Sequence, residues 1–316
     1  MSRTILVTGG AGFIGSHIVA ALVERGDKVR VLDNMSTGTH KNLQEAAGSK
    51  VELIEADLCD TAKVKQAVAG VDTIFHEAAL ASVQRSVEKP LDTHHACVTG
   101  TLTLLDEARK AKVRRLVYAA SSSAYGNIPA SSKRETDLPA PISPYGAAKL
   151  AAEYYLGTFA ALGEIETVAL RYFNVFGPRQ DPHGEYSAVI PRFITSMLAG
   201  KAPTVYGDGL QSRDFTYIEN VVRGNLLAAD APNVSGRVIN LAASHKVSLL
   251  DLIAQLNKLL KLNIVPNHEP ARPGDVRESM ADLTLARQLL NYEPTVDFTE
   301  GLRRSIDYYV GLVRKS

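Results

Sequence analysis

A glycine-rich turn follows the first apolar segment of the chain, and this feature constrains the fold most strongly. The run Thr8-Gly9-Gly10-Ala11-Gly12-Phe13-Ile14-Gly15 comes directly after Ile5-Leu6-Val7 and leads into a helical pattern. Glycines at this spacing permit a tight strand-to-helix turn and let backbone N–H groups approach a pyrophosphate closely. The run therefore predicts a dinucleotide-binding turn, although a strand-to-helix turn without a ligand can carry the same glycines.

The second predicted strand ends in Asp33, which lies 18 residues beyond Gly15. An acidic side chain at about this distance accepts hydrogen bonds from the ribose hydroxyls of a dinucleotide. It would also repel a 2′-phosphate, and the neighbouring Asn34 supplies no compensating cation. NAD is therefore the predicted cofactor; the alternative is that Asp33 only begins a turn.

Short apolar segments alternate with helical patterns along the first part of the chain, which is typical of a parallel sheet covered on both faces. We predict an α/β fold, a doubly wound parallel sheet of the Rossmann type with a smaller mixed α/β substrate-binding lobe. The predicted strands are residues 5–7, 29–32, 51–54, 71–75, 116–118 and 167–171. The predicted helices are residues 16–25, 99–110, 145–162, 220–230, 249–260 and 299–312.

Proline and glycine become frequent after Asn174, and we place a domain boundary there. Residues 1–174 are predicted to form the NAD-binding domain. Residues 175–316 are predicted to form mainly the substrate lobe, with some segments returning to the first domain.

Composition argues against several other classes of protein. The formal charge of +1 is too small for general attraction to nucleic acid or to a membrane surface. No apolar run approaches the roughly 18 residues of a membrane span, and residues 1–10 do not resemble a secretory signal, so a cytoplasmic location is expected. His94 and His95 are adjacent, but no HxxxH or HExxH spacing occurs and no metal site is predicted. We expect Cys59 and Cys97 to be small buried apolar side chains.

Tyr145 and Lys149 are the first and last residues of a pentad, YGAAK, that follows a proline. Side chains four residues apart project from the same face of a helix. A hydroxyl cluster, Ser121-Ser122-Ser123, ends the fifth predicted strand, and ligands bind at the carboxyl ends of parallel strands. Each feature alone also fits a helix-surface pair or a capped loop, but together they indicate a candidate catalytic site.

These motifs, with Asp57-Leu58, resemble the extended short-chain dehydrogenase/reductase family over essentially the whole chain. Three further segments look like those of nucleotide-sugar epimerases, especially UDP-hexose 4-epimerases: LRYFNVFGPR at 170–179, QSRDFTYI at 211–218 and RPGD at 272–275. The catalytic residues that the resemblance implies are Ser121, Tyr145 and Lys149.

The resemblance also implies a cofactor site and a substrate site. The implied cofactor-binding residues are Gly9, Gly12, Phe13, Ile14, Gly15, Asp33, Asn34, Ser36, Thr37, Gly38, Asp57, Leu58, Ala78, Ala79, Leu80, Tyr145, Lys149, Tyr172 and Phe173. The implied substrate-binding residues are Ser122, Ser123, Asn174, Ala188, Val189, Thr204, Val205, Tyr206, Arg213, Arg272, Asp275 and Ser279. Planar guanidinium groups suit a diphosphate, although arginines are also common surface charges.

The mechanism that the resemblance implies is a 4-epimerisation. NAD+ accepts a hydride from C4 of a UDP-sugar while Tyr145 takes the C4 hydroxyl proton and Ser121 hydrogen-bonds to that hydroxyl. Lys149 and the positive nicotinamide are expected to lower the pKa of Tyr145 from its ordinary value of about 10. The 4-keto sugar then turns and takes the hydride back on its other face. Dehydrating and decarboxylating relatives carry acidic residues where Ser122 and Ser123 stand, which favours epimerisation here.

Ser279 bears on the choice of sugar. In hexose-specific relatives a tyrosine closes the pocket four residues after the Asp of the RPGD motif, and Ser279 stands at that position. A small side chain leaves room for an N-acetyl group, so we expect UDP-GlcNAc and UDP-GalNAc as substrates, with UDP-Glc and UDP-Gal as further candidates. A UDP-glucuronate 4-epimerase and a non-catalytic NAD-binding sensor or scaffold stay as alternatives.

Two positions depart from the resemblance. Cys97 stands where relatives commonly have Asn, and Ala81 stands where some have Lys. Loss of the Asn removes one hydrogen bond to NAD or to an ordered water, worth about 1 kcal/mol. Glu77 is a variable position with no assigned role.

The resemblance further implies a homodimer in which helices 99–110 and 145–162 form a four-helix contact. Leu102, Leu105, Leu150 and Leu156 are compatible with this contact, but they would equally suit the core of the monomer.

Overall fold

The described part of the chain covers residues 3–182, 187–271 and 277–313 of a computed structural model. Its strands are β1 (Thr4–Thr8), β2 (Lys28–Asp33), β3 (Val51–Glu55), β4 (Thr73–His76), β5 (Arg115–Ser121), β6 (Glu166–Tyr172), β7 (Val175–Phe176), β8 (Thr204–Tyr206), β9 (Ser212–Asp214), β10 (Thr216–Tyr217), β11 (Arg237–Leu241), β12 (Lys246–Ser248) and β13 (Asn267–Glu269). Its α-helices are α1 (Phe13–Glu24), α2 (His40–Ala47), α3 (Thr61–Val68), α4 (Val83–Glu88), α5 (Pro90–His94), α6 (Gly100–Lys110), α7 (Pro144–Ala161), α8 (Val189–Leu198), α9 (Ile218–Asp230), α10 (Leu249–Leu260), α11 (Thr284–Leu290) and α12 (Phe298–Val313).

Seven of the described strands form a parallel sheet in the order β11-β6-β5-β4-β1-β2-β3. From β1 the chain extends the sheet in one direction through β2 and β3, and then in the other direction through β4, β5 and β6. This reversal makes the sheet doubly wound, and it opens a ligand crevice at the carboxyl ends of β1 and β4. The predicted fold class is confirmed.

Helices cover both faces of the sheet. Successive side chains of each strand point to opposite faces, so each strand contributes to both cores. Phe75, Val117 and Leu170 pack on one face in a core that they share with α1 and α9. Ile74 and Leu116 pack on the other face against α3, α6 and α7. Burial on both faces explains why these strands are near-continuous apolar runs in the sequence.

The helix predicted over 99–110 begins earlier than expected. α5 continues into a π-helical turn at His95–Thr99, and α6 follows without a break. A π turn fits an extra residue into a helix, and such turns are frequent at functional sites. Here the turn packs Cys97 and Val98 against Ala148 of α7.

The remaining strands form two-stranded pairs: β7 with β10, β9 with β12, and β8 with β13. β11 joins the central sheet beside β6, so residues beyond 174 contribute to that sheet. The domain boundary at residue 174 stays a prediction. Every helix in the described ranges falls short of the length or apolarity that a membrane crossing needs.

The two cysteines differ in burial. Cys97 is buried, as predicted. The same expectation is wrong for Cys59, which is only half-buried, because it lies in the turn between β3 and α3. Its Sγ lies 3.5 Å from the carbonyl oxygen of His95.

Candidate active site

The glycine-rich turn lies at the carboxyl end of β1, where its backbone is closely packed. Gly9 has φ +66°, and a Cβ there would lie 2.6 Å from the backbone nitrogen of Ala78. A Cβ on Gly15 would overlap the carbonyl oxygen of Gly9. Gly12 precedes α1 with no side chain capping the helix, so the backbone N–H groups of the first turn face outward for an anion. The turn therefore fits the pyrophosphate of a dinucleotide.

Asp33 ends β2 beside this turn. Its carboxylate accepts hydrogen bonds from the backbone N–H groups of Ala11 and Met35, each at 2.9 Å. Burial raises the pKa of Asp33, and these two hydrogen bonds oppose the rise. Since a carboxylate has about four lone-pair positions, it can still accept from the hydroxyls of a ribose. Gly38 packs closely here, because a Cβ on it would lie 2.7 Å from the Cβ of Ala11.

A cavity of about 580 Å³ lies next to Asp33 and brings together four of the predicted cofactor residues. Asn34, Ser36, Asp57 and Leu80 line it. The side-chain amide of Asn34 donates to Asp57 at 2.8 Å, which joins the end of β2 to the loop after β3. The cavity is therefore placed to hold one end of the cofactor.

Asp57, Cys59 and His95 approach one another beside this cavity, with one N, O or S atom of each side chain within 4.8 Å of the others. Sequence spacing did not predict this group, because it joins the loop after β3 to the start of the π-helical turn at His95. Both oxygens of Asp57 already accept hydrogen bonds, from the Asn34 amide and from the backbone N–H of Cys59. Two members of the group, Asp57 and His95, line the cavity.

The other predicted cofactor residues lie around the same crevice. Leu58 is buried, and its side chain packs against the start of α6, where a Cβ on Gly100 would lie 2.8 Å from the Leu58 Cβ. Phe173 is also fully buried. The remaining residues of this set are half-buried or exposed: Phe13, Ile14, Thr37, Ala78 and Ala79.

Tyr145 is held at the start of α7 by local capping. The Ser143 side chain accepts from the N–H of Gly146, and Pro144 occupies the first turn of the helix. A Cβ on Gly146 would lie 2.7 Å from the carbonyl oxygen of Ser123, so glycine lets the helix approach the serine loop. This close approach brings Tyr145 into hydrogen-bonding contact with Ser121.

Lys149 lies one turn further along α7 and is 2 % exposed. Its Nζ donates to the carbonyl oxygen of Ala119 at 2.8 Å and lies 4.7 Å from the centre of the Tyr118 ring. Burial lowers the pKa of Lys149, and the carboxylates of Glu77 and Glu153 oppose this.

The electrostatics of Tyr145 differ from the expectation. Burial raises its pKa above 10, the hydrogen bond to Ser121 lowers it, and the carboxylate of Glu77 raises it further. Lys149, whose ammonium group is held at the backbone of β5, does not produce the predicted lowering within the protein alone. A positive charge on a bound cofactor is then the main group that could favour the phenolate.

Two predicted substrate residues meet at one carbonyl group. The Arg213 guanidinium donates to the backbone oxygen of Ser212 at 3.0 Å, and the N–H of Ser279 donates to the same oxygen at 3.2 Å. Arg213 lies on β9, and Ser279 follows an isolated bridge between Ser212 and Glu278. The structure therefore brings together two residues that are 66 positions apart in the sequence.

The other predicted substrate residues occupy several elements. Ser122 and Ser123 are half-buried in a short 3₁₀ turn after β5. Asn174 has φ +30°, and its carbonyl oxygen accepts from Thr216. β8 consists of Thr204, Val205 and Tyr206, while Val189 begins α8 and Ala188 directly precedes it. Arg272 and Asp275 lie outside the described residues.

The sequence reasoning missed a hydrogen-bonded group beside the catalytic residues. The Tyr172 hydroxyl donates to Glu77 at 2.9 Å, and the Asn225 amide donates to the Tyr172 oxygen at 2.8 Å. Burial raises the pKa of Glu77 to about 7, while the Tyr172 hydrogen bond and the charge of Lys149 oppose the rise. The position of Glu77, directly after β4 at the carboxyl edge of the sheet, was the available signal.

Comparisons with known proteins agree with this geometry. Residues 5–242 match the model of the NAD dependent epimerase/dehydratase family. A UDP-glucose 4-epimerase from Mycolicibacterium smegmatis is 37% identical over 96% of this chain and 97% of its own length. UDP-glucuronate 4-epimerase 3 from Arabidopsis thaliana is 34% identical over 98% of this chain and 76% of its own length.

A solved structure is also similar over nearly all of both chains. It is the UDP-N-acetylglucosamine 4-epimerase from Methanobrevibacter ruminantium in complex with UDP-N-acetylmuramic acid, with a TM-score of 0.94, 37% identity and coverage of 98% of this chain and 99% of that one. With the glycine turn, Asp33 and the paired Tyr145 and Lys149 in place, the chain belongs to the NAD-dependent epimerase/dehydratase family.

Proposed function

We propose that the chain is a UDP-sugar 4-epimerase that retains NAD+ and acts on UDP-N-acetylhexosamines, with UDP-hexoses as further substrates. The observation that carries this proposal is that Ser121, Tyr145 and Lys149 lie together at the carboxyl end of β5. The relatives that act on UDP-glucose, UDP-glucuronate and UDP-N-acetylglucosamine support the class of substrate and of reaction.

The residues that would hold NAD are those of the glycine turn together with Asp33, and the cavity beside Asn34 and Asp57 would take the far end of the cofactor. Bound NAD+ supplies a reversible hydride acceptor for C4 of the sugar, so the reaction has no net redox change.

Tyr145 is the acid–base group in this proposal. Its phenol takes the proton of the C4 hydroxyl and later returns it, while Ser121 orients the same hydroxyl by a hydrogen bond. Lys149 fixes the first turns of α7 against β5 through the carbonyl oxygen of Ala119, and so keeps the phenol beside Ser121. Arg213 is placed to contact the diphosphate.

The choice of an N-acetyl sugar rests on Ser279. This side chain is small and nearly buried, and its N–H is tied to Ser212, next to Arg213. A larger side chain at this position would reduce the space beside a sugar whose diphosphate lies at Arg213. We therefore expect Ser279→Tyr to lose activity on the N-acetyl sugar and to keep activity on UDP-glucose.

A sugar panel tests the proposal. Purified protein is incubated with UDP-glucose, UDP-N-acetylglucosamine and UDP-glucuronate, and the C4 epimers are followed by proton NMR, with Tyr145→Phe as the inactive control. Conversion of the N-acetyl sugar is expected. Conversion of UDP-glucuronate alone would favour the second candidate, which the Arabidopsis relative supports, and conversion of none of the three would contradict a 4-epimerase.

We also propose a homodimer formed through α6 and α7. Tyr154 and Tyr155 of α7 are 63% and 39% exposed, and large apolar side chains are rarely left exposed as a group without a partner. Leu105 and Leu156 are buried in the monomer, so they do not form this contact, whereas Leu102 and Leu150 are half-buried.

A further inference from the structure

We propose that Tyr118 is a positioning residue of the acid–base site: the face of its ring holds the ammonium group of Lys149, in its charged form, at the end of β5. The proposal rests on the role of Lys149 in the function proposed above. It concerns a residue that neither the motifs nor the proposed reaction uses.

The contact between Lys149 and Tyr118 has the geometry of a cation–π interaction. The Lys149 Nζ lies 4.7 Å from the centre of the Tyr118 ring, inside the limit of roughly 6 Å over which such contacts act. The Tyr118 side chain is fully buried, and Lys149 is 2 % exposed. Because both groups are removed from water, the attraction between the ammonium group and the negative face of the ring is at the strong end of its range.

The packing of α7 on the sheet brings these two side chains together. Tyr118 points from β5 into the core that α7 covers, where Ala152 and Leu156 of that helix also lie. These two residues follow Lys149 by three and seven positions, so all three lie on the same face of the helix. Lys149 is therefore on the side of α7 that faces the Tyr118 ring.

The ring attracts the ammonium group without using one of its hydrogen-bond donors. The Lys149 Nζ donates to the carbonyl oxygen of Ala119 at 2.8 Å, and β4 pairs with β5 only as far as Tyr118, so this acceptor lies just beyond the β4 ladder. An ammonium group has three donors. Because the ring takes none of them, the other two stay available to a ligand in the crevice.

The ring differs from the titratable groups around Lys149 because its attraction does not change with pH. Those groups are His76 and Glu77 at the end of β4, Cys97 of the π-helical turn, and Tyr145 and Glu153 of α7, one turn to either side of Lys149. Burial raises the pKa of Glu77 to about 7, so its charge is only partial at neutral pH. Burial also lowers the pKa of His76 to about 3 and raises that of Tyr118 well above 10, so both stay neutral.

The test is a titration of Lys149 by NMR in the absence of any sugar. Lysine is isotopically labelled at Cε in the protein as purified with its nucleotide, and the Lys149 signal is assigned by its absence from Lys149→Arg. Tyr118→Leu keeps an apolar side chain and removes the ring, so it should lower the pH midpoint of the Lys149 titration by about one unit. An unchanged midpoint would overturn the proposal.

Two control variants separate the effect of the ring from the effect of lost packing. Tyr118→Phe keeps the ring and should leave the Lys149 midpoint near that of the parent, since the Tyr118 hydroxyl makes no hydrogen bond within the described ranges. Phe75→Leu removes an equally buried ring from the opposite face of the sheet, so it should lower stability without moving the midpoint. Equal shifts in Tyr118→Leu and Phe75→Leu would overturn the proposal in favour of lost packing.

A second series keeps the test decisive if Tyr118→Leu does not fold. Phenylalanine analogues with increasing numbers of ring fluorines, incorporated at position 118, keep the shape of the ring and progressively weaken its negative face. The Lys149 midpoint should then fall stepwise, and a constant midpoint across the series would contradict a cation–π contact. Because no sugar is present, a protein that converts none of the UDP-sugars would still give this titration.

Discussion

The ammonium group of Lys149 is hydrogen-bonded to the carbonyl oxygen of Ala119 at 2.8 Å, which fixes α7 against the end of β5. The lysine is buried there, and its nearest polar partner is backbone. The position of Tyr145 beside Ser121 therefore depends on this contact as well as on the cap at Ser143.

Removal of the catalytic hydroxyl should abolish most turnover without unfolding the protein. We expect Tyr145→Phe to lower kcat by about 10³-fold, since general acid–base groups contribute about 10² to 10⁴. Ser121→Ala should lower kcat less, because it removes an orienting hydrogen bond only. Stopped assays and nucleotide release on denaturation would measure both effects; a phenylalanine variant as active as the parent would remove Tyr145 from its role.

Gly15 should not tolerate a side chain. A Cβ there overlaps the carbonyl oxygen of Gly9, so Gly15→Ala is expected to displace the turn and to lose bound nucleotide. Gly311→Ala is the matched control, because no atom lies within 4 Å of a Cβ on this residue of α12. The control should keep its nucleotide and gain up to about 1 kcal/mol of stability. Equal retention by both variants would contradict close packing at Gly15.

The buried ion pair between Glu153 and Arg171 should matter for stability. Two hydrogen bonds of 2.7 and 3.0 Å join these side chains, each of which is 3% exposed. Glu153→Gln leaves an uncompensated buried guanidinium and should lower the free energy of unfolding by about 3 kcal/mol. Glu300→Gln, in an exposed network with Arg303 and Arg304, should change it far less, because solvent screens these charges. Urea titrations would measure the free energy of unfolding of both variants. An equal loss of stability in the two would contradict a larger role for the buried pair.

Asp214 should make stability depend on pH in the acid range. Burial raises its pKa to about 6, although the N–H groups of Ala281 and Ala243 donate to its oxygens. A carboxyl group with a raised pKa in the folded state contributes stability below its unfolded value, near 4, and loses it as pH rises towards 6. Asp214→Asn should be less stable overall, because it loses an acceptor, but its unfolding free energy should lack this decline. Urea unfolding of the parent and of Asp214→Asn at pH 4 to 7 would detect this difference. If stability depends on pH in the same way in both proteins, Asp214 is not the group responsible.

The proposed dimer predicts an effect of charge on α7. Tyr154→Glu should shift the protein from dimer to monomer in sedimentation experiments, because it places a charge in an apolar contact. Val265→Glu, at an exposed residue in the loop after α10, should leave the sedimentation unchanged. A parent protein that sediments as a monomer would rule out the dimer.

Local sequence explains why three features lie where they were predicted. The glycine turn, the acidic end of β2 and the YGAAK pair depend on residues close in sequence, so sterics and helical spacing place them. The helix before α6 was missed because the π-helical turn at His95–Thr99 follows from packing against α7 rather than from local propensity. The domain boundary and the individual site roles stay predictions.

The sequence alone determined the strand segments of the first half, the preference for NAD and the paired Tyr145 and Lys149, because each follows from periodicity, from glycine spacing or from one charged side chain within a short window. Only the tertiary structure placed the Tyr172 hydroxyl on Glu77, joined Arg213 and Ser279 at one carbonyl group, and buried Tyr145 so that its pKa is raised. These relationships depend on contacts between distant segments and on burial, and both exist only once the sheet and its helices have packed together.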